Sequence, residues 1–441
     1  MKHKKFAEAL NEVDDRYIAE AVKGKKRRKL YWVSATAAML ALTLAIGAVA
    51  RPVISAKALS KADYSQSSKS HYQEIHGCVQ TLSGFFTDVI SQILSDSHGE
   101  NQVFSPANLY MGLSALTELT GGDEELLALL QAEDLDALRK QTELIWNMSR
   151  YEEKNPVLLA SSVWLDEDLK YNQQTMDILA QHHYTSVYQG DFGTGRTNRA
   201  ISAWLNRQTG NLLKDTTDNI SLDPSTVFAL YSTIYFQAKW SEEFNSSKNT
   251  KGVFHAAGGD KTATFMNKEN MWAYYYWGED FSAVSLSLKG NQMWIILPDT
   301  GKTADDVLSG EEYGQMLFGD YRNSKYMKVI LSLPKFDIRS SGDLKEDLQV
   351  MGVTDIFDRE KADFSAALNT DGPVWLASVN QATRVAIDEE GVTAASYIEF
   401  PGATSPAPPE EVIEFIVDRP FIFVVTNNWD IPLFAGVVNE P

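Results

Sequence analysis

The residues of this chain that could do acid–base, nucleophilic or metal chemistry are few in kind. They are seven histidines, one cysteine (Cys78) and a surplus of carboxylates, 59 Asp and Glu against 40 Lys and Arg in 441 residues. The histidines are His3, His71, His76, His98, His182, His183 and His255, so none lies in the C-terminal part beyond His255. A single Cys excludes a disulfide framework and a thiolate zinc site within one chain. HExxH, GxSxG and GxxxxGK[ST] are absent, and with them the zinc-protease, nucleophile-elbow and phosphate-loop arrangements that those spacings build. His71 and His76 have no Cys or acidic cluster at matching spacing to complete a metal site. His182 and His183 could be borrowed into a hydrolase triad by folding, but they lie on a polar helix and are expected to be solvated. A carboxylate pair could cleave a glycosidic bond, yet an acidic surplus reads more simply as a soluble surface. No enzyme activity, metal or cofactor is expected, which leaves recognition.

The stretch with the most to say about recognition is Asp388-Glu389-Glu390-Gly391-Val392-Thr393-Ala394-Ala395-Ser396-Tyr397-Ile398-Glu399-Phe400, followed by PGATSPAPPEE. Val392, Ala394, Ser396, Ile398 and Phe400 alternate with mostly polar residues, which is the period of a strand. Pro401, Pro406, Pro408 and Pro409 cannot belong to the middle of a sheet ladder. A plain connection of this length is unusual in a compact domain and favours a functional loop; an exposed hairpin with a flexible turn is the other reading.

The elements around it run helices first and strands later. Helical periodicity covers 74–94, 106–118, 123–131, 135–149, 173–181 and 197–213, with Ser105-Pro106 and Gly121-Gly122 as boundaries. Strands are expected at 157–165, 227–236, 271–276, 281–288, 292–297, 327–336, 374–387, 415–426 and 433–438, and helices near 302–318 and 341–350. With no repeat and no internal linker, this is one large α+β domain over 71–441.

Charge divides the rest. Residues 1–51 carry eleven Lys/Arg and five Asp/Glu, a net +6, and the remainder carries 29 against 54, a net −25. Such an acidic body is unsuited to nucleic acid. Tyr31 to Ala50 is an uncharged run preceded by six cations between Lys23 and Lys29. As a helix it spans about 30 Å, the hydrocarbon thickness of a bilayer, and its flank makes 1–30 cytoplasmic. Residues 31–50 are expected to anchor the chain in a membrane, 51–70 to form a polar extracellular stalk, and 71–441 to lie outside. The alternative is secretion after signal cleavage near Ala50, where Ala48-Val49-Ala50 fits a small-x-small site.

Several motifs in order resemble the serpins. They are Asn101-Gln102-Val103-Phe104-Ser105-Pro106, Ser232-Thr233-Ile234-Tyr235-Phe236-Gln237-Ala238-Lys239-Trp240, Leu333-Pro334-Lys335-Phe336, Ala362-Asp363-Phe364-Ser365, Glu389-Glu390-Gly391, and Phe415 to Phe421 with Leu433 to Pro441. The likeness runs from about residue 72 to Pro441. It implies the serpin fold, with about nine helices, three β-sheets and an exposed reactive loop. It also implies a monomer that traps a serine protease, or a cysteine protease, as a suicide substrate; the alternative is a non-inhibitory member acting as a binding or structural protein. The cleaved loop would enter the central sheet as a new strand. Sparse cysteine and a short anchor resemble surface proteins of Gram-positive bacteria.

The resemblance assigns the hinge to Glu389, Glu390, Gly391, Val392, Thr393, Ala394, Ala395 and Ser396, and the sheet-opening region to Ser232, Trp240 and Gln381. Ser232 and Gln381 stand where the family usually has Asn and His; Tyr397 is larger than usual, and Pro401 would remove a ladder bond near the end of the inserted strand. Counting forward from Gly391 places the cut at Ser405–Pro406, and counting back from Pro420 places it at Pro409–Glu410. Bonds with no proline on the leaving side are Ala403–Thr404 and Thr404–Ser405, so Thr404 is taken as the specificity residue, with Ala403 and Ser405 next. No Arg or Lys occurs between Gly391 and Arg419. Elastase-like or subtilisin-like proteases with small apolar pockets therefore fit better than trypsin-like ones.

The anchor reading has a direct check. The full chain is expected to stay with the membrane pellet after an alkaline carbonate wash and to lose residues 71–441 to protease added outside intact cells. Full-length chain in the wash supernatant, retaining residues 31–50, would contradict it.

Overall fold

The computed structural model describes residues 56–64, 72–95, 97, 99–149, 157–192, 194–210, 220, 222, 226–236, 238–319, 321–392 and 411–441. All of them belong to one compact unit, Arg51–Pro441. Nine α-helices occur among the described residues: α1 (Tyr72–Leu94), α2 (Pro106–Thr120), α3 (Glu124–Leu129), α4 (Leu135–Met148), α5 (Gln173–His182), α6 (Gly195–Gln208), α7 (Ala304–Leu308), α8 (Glu312–Leu317) and α9 (Lys345–Val350). The single helix expected over 302–318 is two, α7 and α8, parted at Ser309-Gly310. The one expected over 341–350 starts only at Lys345, because the residues before it are held in a strand.

Hydrogen bonding delimits four sheets where the resemblance implies three. In chain order the strands are β1 (Lys57–Ser60), β2 (Gln102–Phe104), β3 (Val157–Asp166), β4 (Lys170–Tyr171), β5 (Thr185–Gly190), β6 (Phe228–Phe236) and β7 (Ala238–Lys239). Then come β8 (Thr250–Ala256), β9 (Gly259–Trp277), β10 (Phe281–Leu288), β11 (Asn291–Pro298), β12 (Ser324–Pro334) and β13 (Phe336–Asp343). The last are β14 (Leu368–Asn369), β15 (Asn380–Ile387), β16 (Gly391–Val392), β17 (Val412–Ile416), β18 (Phe421–Asn427) and β19 (Pro432–Val438). One sheet runs β1-β5-β3-β6, another β13-β15-β16-β7, and β4 pairs with β14 in a ribbon. The nine-stranded sheet runs β17-β12-β9-β10-β11-β18-β19-β2, with β8 on β9.

Differences from the expected strands have local causes. Residues 374–379 carry no ladder; Leu376 N–H donates instead to Ile356 at 2.8 Å. The run 415–426 breaks into β17 and β18 at Pro420, which offers no N–H. Part of the segment read as stalk is integral to the fold: β1 pairs antiparallel with β5, and Ser60 Oγ donates to Asp177 at 3.1 Å. The expected span 31–50 lies outside the described residues; among those described, no helix is long and apolar enough to cross a membrane.

Helix α2 is the post on which the sheets rest. Ser105 Oγ accepts from Asn108 N–H at 3.2 Å as its cap, and Pro106 occupies the first turn, where no N–H is needed. Gly121, at φ +76°, takes the left-handed position that ends it. Every residue from Pro106 to Leu119 is buried, and the helix packs on β6 on one side and β19 on the other. A helix covered all round must be apolar or internally paired.

That pairing corrects the reading of His183. Expected to be solvated, it is fully buried, with Nδ1 3.0 Å from Ser114 Oγ and Nε2 3.1 Å from Glu118 Oε2. Arg139 on α4 closes the network with two bonds to Glu118, 2.7 and 2.9 Å. Its neighbour His182 is half-exposed and lies 2.6 Å from Glu143. Ser114, His183 and Glu118 have the residue types of a hydrolytic triad, but all three are buried, so they serve packing. Burial lowers the His183 imidazole and keeps it neutral. Burial would raise the Glu118 carboxyl, but the His183 and Arg139 hydrogen bonds hold it down at about 2.

Glu118→Ala, which strands the Arg139 and His183 groups, is expected to lower unfolding stability by about 3 kcal/mol or more, as removal of one partner of a buried pair does. Urea denaturation measures it, and a loss under 1 kcal/mol would contradict the role given to the network. In the wild type, stability is expected to fall as pH drops below the ordinary imidazole value near 6.5, because the unfolded His183 takes a proton that the folded one refuses.

Candidate functional site

Strands β6 and β15 point the same way, and among the described residues no ladder joins them. Between them lies a cavity of about 190 Å³, floored by Asn108, Leu109, Gly112 and Leu113 of α2 and walled by β6 and residues 376–381. At about 30 Å³ of liquid per water this is room for a handful of waters, so it is a seam that must widen to admit a strand. Ser232 and Gln381 stand on opposite walls, and both are bonded to the post beneath. Ser232 Oγ donates to Asn108 Oδ1 at 2.5 Å and lies 2.9 Å from Ser161 Oγ on β3. Gln381 accepts from Ser105 N–H at 2.8 Å and donates to Ser105 C=O at 3.2 Å. The first turn of α2 thus grips both flanks of the seam.

At one end the seam is already filled. After β15, Asp388 makes a tight turn, its Oδ1 accepting from the N–H groups of Glu390 (2.9 Å) and Gly391 (3.2 Å). The chain then lies between the two flanks as β16. Val392 is opposite Ile387 on β15 and opposite Ala238 on β7, antiparallel to both. Two strand spacings, about 9.6 Å, therefore separate the flanks here. Val392 is 3 % exposed, so its side chain faces the core. Only glycine fits at 391. Its φ is +154°, and a Cβ there would meet the Ala238 carbonyl oxygen, Lys239 Cα at 2.6 Å and Trp240 N at 3.0 Å, all backbone.

Trp240, 2 % exposed, holds the turn: its indole N–H donates to Asp388 C=O at 2.8 Å and its backbone N–H to Glu390 C=O at 3.2 Å. Phe244 packs edge-on against it at 5.6 Å, and Phe244 N–H donates to Glu389 C=O at 2.9 Å. The Glu389 carboxylate is clamped by Lys335 Nζ at 2.5 Å and by the Asn249 amide. Burial raises this carboxyl, but the Lys335 ammonium and the Asn249 bond outweigh it and hold the group below the usual carboxylate range. Glu390 is exposed, with Lys239 Nζ 3.9 Å away. Nothing in the sequence pattern points to Lys335, Asn249 and Asn108 as parts of this site, and Ser105 reads there only as a helix boundary. Lys335 lies within the quoted Leu333–Phe336 motif, but only folding brings it to Glu389.

Thr393, Ala394, Ala395 and Ser396, and the bond candidates Ala403, Thr404, Ser405, Pro406 and Pro409, lie outside the described residues. Their two ends do not. Val392 is fixed in the seam, and Val412 begins β17, which pairs in parallel with β12 at the edge of the nine-stranded sheet. The segment is tied at both ends to different sheets.

The chain belongs to the serpin family: the sequence profile described as Serpin (serine protease inhibitor) matches residues 80–441. Among curated relatives, plasminogen activator inhibitor 1 of Sus scrofa is 27 % identical over 394 residues, covering 85 % of this chain and 95 % of that protein. The fold is that of the thermophilic serpin tengpin in its native state, with a TM-score of 0.74 at 23 % identity over 87 % of this chain and all of that one. It is also that of human thyroxine-binding globulin complexed with its ligand, with a TM-score of 0.71 at 18 % identity over 83 % of this chain and 99 % of that one.

Gly391→Val is expected to force Gly391 and Val392 out of the seam, raising hydrogen exchange at the Val392 and Trp240 amides about tenfold or more. Unchanged exchange would contradict the close approach. The Glu389 clamp has a folded value below its unfolded one near 4.3, so it contributes fully above that pH and is lost as pH falls through the folded value. Trp240 fluorescence should report this loosening in acid, and Lys335→Met should abolish that transition. Persistence of the transition in the variant would count against the clamp.

Proposed function

We propose that this serpin is an irreversible suicide-substrate inhibitor of serine proteases with small apolar specificity pockets, elastase-like or subtilisin-like. The observation that carries the reading is the seam with Gly391 and Val392 already seated in it, continuous with a segment tied at its far end to β17.

Continuing the β16 register along both walls gives the inserted strand. Residue pairs summing to the Val392–Ala238 pair bring Ala394 opposite Phe236, Ser396 opposite Ile234, Ile398 opposite Ser232, Phe400 opposite Leu230 and Gly402 opposite Phe228, the first residue of β6. On the other wall Ala394 meets Val385, Ser396 meets Thr383, and Ile398 meets Gln381. Alternate residues from Val392 onward face α2, so Ala394 and Ser396, being small, pass over it with little displacement. Ile398 arrives between the two polar side chains that grip the post. The ladder on β6 runs out at Gly402, just short of Ala403–Ser405, which supports a cut at Thr404 or beside it. Tyr397 and Pro401 face outward by the same parity.

The chemical step is the protease's own. Its serine Oγ adds to the Thr404 carbonyl carbon, and the bond from that carbon to the Ser405 nitrogen breaks. The proton taken from the serine passes to the Ser405 amine, leaving an ester. The cut frees the loop from β17, and insertion then competes with hydrolysis of the ester. Residues 412–441 stay paired in the nine-stranded sheet until denaturation. Residues 31–50 would display the inhibitor on the outer face of a membrane, a reading supported by the uncharged run and the charge division of the sequence.

The full chain, in detergent, is to be incubated with pancreatic elastase and with subtilisin. A covalent complex stable in denaturing gels is expected, with a C-terminal peptide whose mass begins at residue 404, 405 or 406. Ala394→Arg, which drives a charge between Phe236 and Val385, is expected to turn at least nine in ten molecules into cleaved substrate. Complete loop cleavage of the wild type with undiminished protease activity would contradict inhibition and favour a binding role for the scaffold.

A further inference from the structure

Among the described residues, nothing packs on one face of the nine-stranded sheet where β9, β12 and β17 lie side by side. Trp272, Tyr274, Tyr326, Val412 and Ile416 project from it, with Tyr321 just before β12, and their exposures run from 40 to 55 %. The other face of the same strands is core: Met271, Ala273, Val329, Leu331 and Phe415 are buried. Pairing fixes the arrangement. Tyr274 is opposite Tyr326, Trp272 is opposite Lys328, and Lys328 is opposite Val412. The rings contact one another along the row: Trp272 to Tyr326 at 5.7 Å between centroids, Tyr326 to Tyr274 at 5.1 Å, and Tyr274 to Tyr321 at 6.3 Å. Contiguous exposed apolar surface of this kind marks an interaction site.

Its place relative to the loop says what covers it. Glu411, the first described residue after the loop segment, is ion-paired with Lys325, the neighbour of Tyr326. From there β17 runs along the row, contributing Val412 and Ile416 to it. Thr404 is eight residues from Val412, at most about 26 Å, whereas a compact chain of about 250 residues is roughly 45 Å across. A protease closed on any bond from Ala403 to Pro406 is therefore within reach of this face, on the side that receives the residues after the cut. The chemistry also suits a protein. The row offers Tyr hydroxyls and an indole N–H beside apolar ring area, the combination that aromatic anchors bring to protein interfaces.

We propose that the row Trp272–Tyr326–Tyr274–Tyr321, with Val412 and Ile416, is a second contact surface for the target protease. It would meet an apolar rim on the leaving-group side of the protease cleft, with basic residues at its margin drawn by Glu414 and by the chain's net charge of −19. This rests on the inhibitor reading only in taking a protease to bind the loop. The surface would raise the rate at which the loop is attacked without changing what happens after the cut.

The test uses the full chain in detergent and whichever of pancreatic elastase and subtilisin attacks it faster. Two rates are read separately: the second-order rate of loop cleavage, and the fraction of cuts that end in covalent complex. The double variant Trp272→Ser, Tyr326→Ser is expected to slow loop cleavage at least tenfold with that fraction unchanged, and Tyr326→Phe to retain most of the wild-type rate. A double variant cleaved at the wild-type rate would overturn the proposal, whether or not complex forms. So would a variant that is cut normally but no longer pulled down by insoluble cellulose or xylan that retains the wild type, because the row would then be a sugar platform. If the wild type is cut without forming complex, the inhibitor reading fails, and the cleavage rates still decide the role of the row.

Discussion

The constraint on which the molecule depends is a tether. A segment patterned to be a strand begins inside the central sheet at Gly391-Val392 and is fastened at its far end to β12 through β17. The place that would receive the rest of it, between β6 and β15, carries no ladder among the described residues. Two strand edges therefore face each other without exchanging hydrogen bonds, although unpaired edges are what folded sheets ordinarily avoid. On the proposed reading, the segment fills the seam only once one of its held ends is freed. One broken peptide bond removes the constraint. On that reading, the stability of the intact form would be kinetic in part, set by how firmly the ends are kept apart.

Other parts of the structure keep the seam ready without letting it open. Helix α2 binds both flanks through its first turn, Gln381 through Ser105 and Ser232 through Asn108, and is itself fixed by the buried Glu118–Arg139–His183 network. At the filled end, Trp240 and the Glu389–Lys335 pair hold the turn that leads into Gly391 and Val392. Ser232 and Gln381 do not need to touch each other to act together. Each grips the same helix, so the replacement of larger polar residues by these two still leaves both flanks latched.

Much of this was legible in the sequence, and the rest was hidden for identifiable reasons. The caps at Ser105-Pro106 and Gly121 marked α2 correctly, because capping is local chemistry. The smallness of Gly391 suits the close backbone approach that the structure shows there. What no local pattern could give is which backbone approaches Gly391: the contacts are Ala238 to Trp240, some 150 residues away. His183 was misread because a short polar helix looks solvated until another helix is laid over it. The division of the central sheet was equally invisible, since β6 and β15 are both well-patterned strands and only their missing partner distinguishes them. The tip from Ala403 to Pro409 is where pattern reading gives competing registers, and it lies outside the described residues.

The central claim is that the seam is built for the loop. The most direct measurement is the melting temperature of the full chain before and after a single cut between residues 403 and 406, made by a protease that is then removed. Filling the seam adds ladders on both sides of a strand of about eleven residues, and several kcal/mol of added stability in a domain of this size raises Tm by about 5 °C or more. A rise of that size, together with loss of hydrogen exchange along β6 and β15, is the predicted result. An unchanged or lowered Tm after a clean cut would contradict the account.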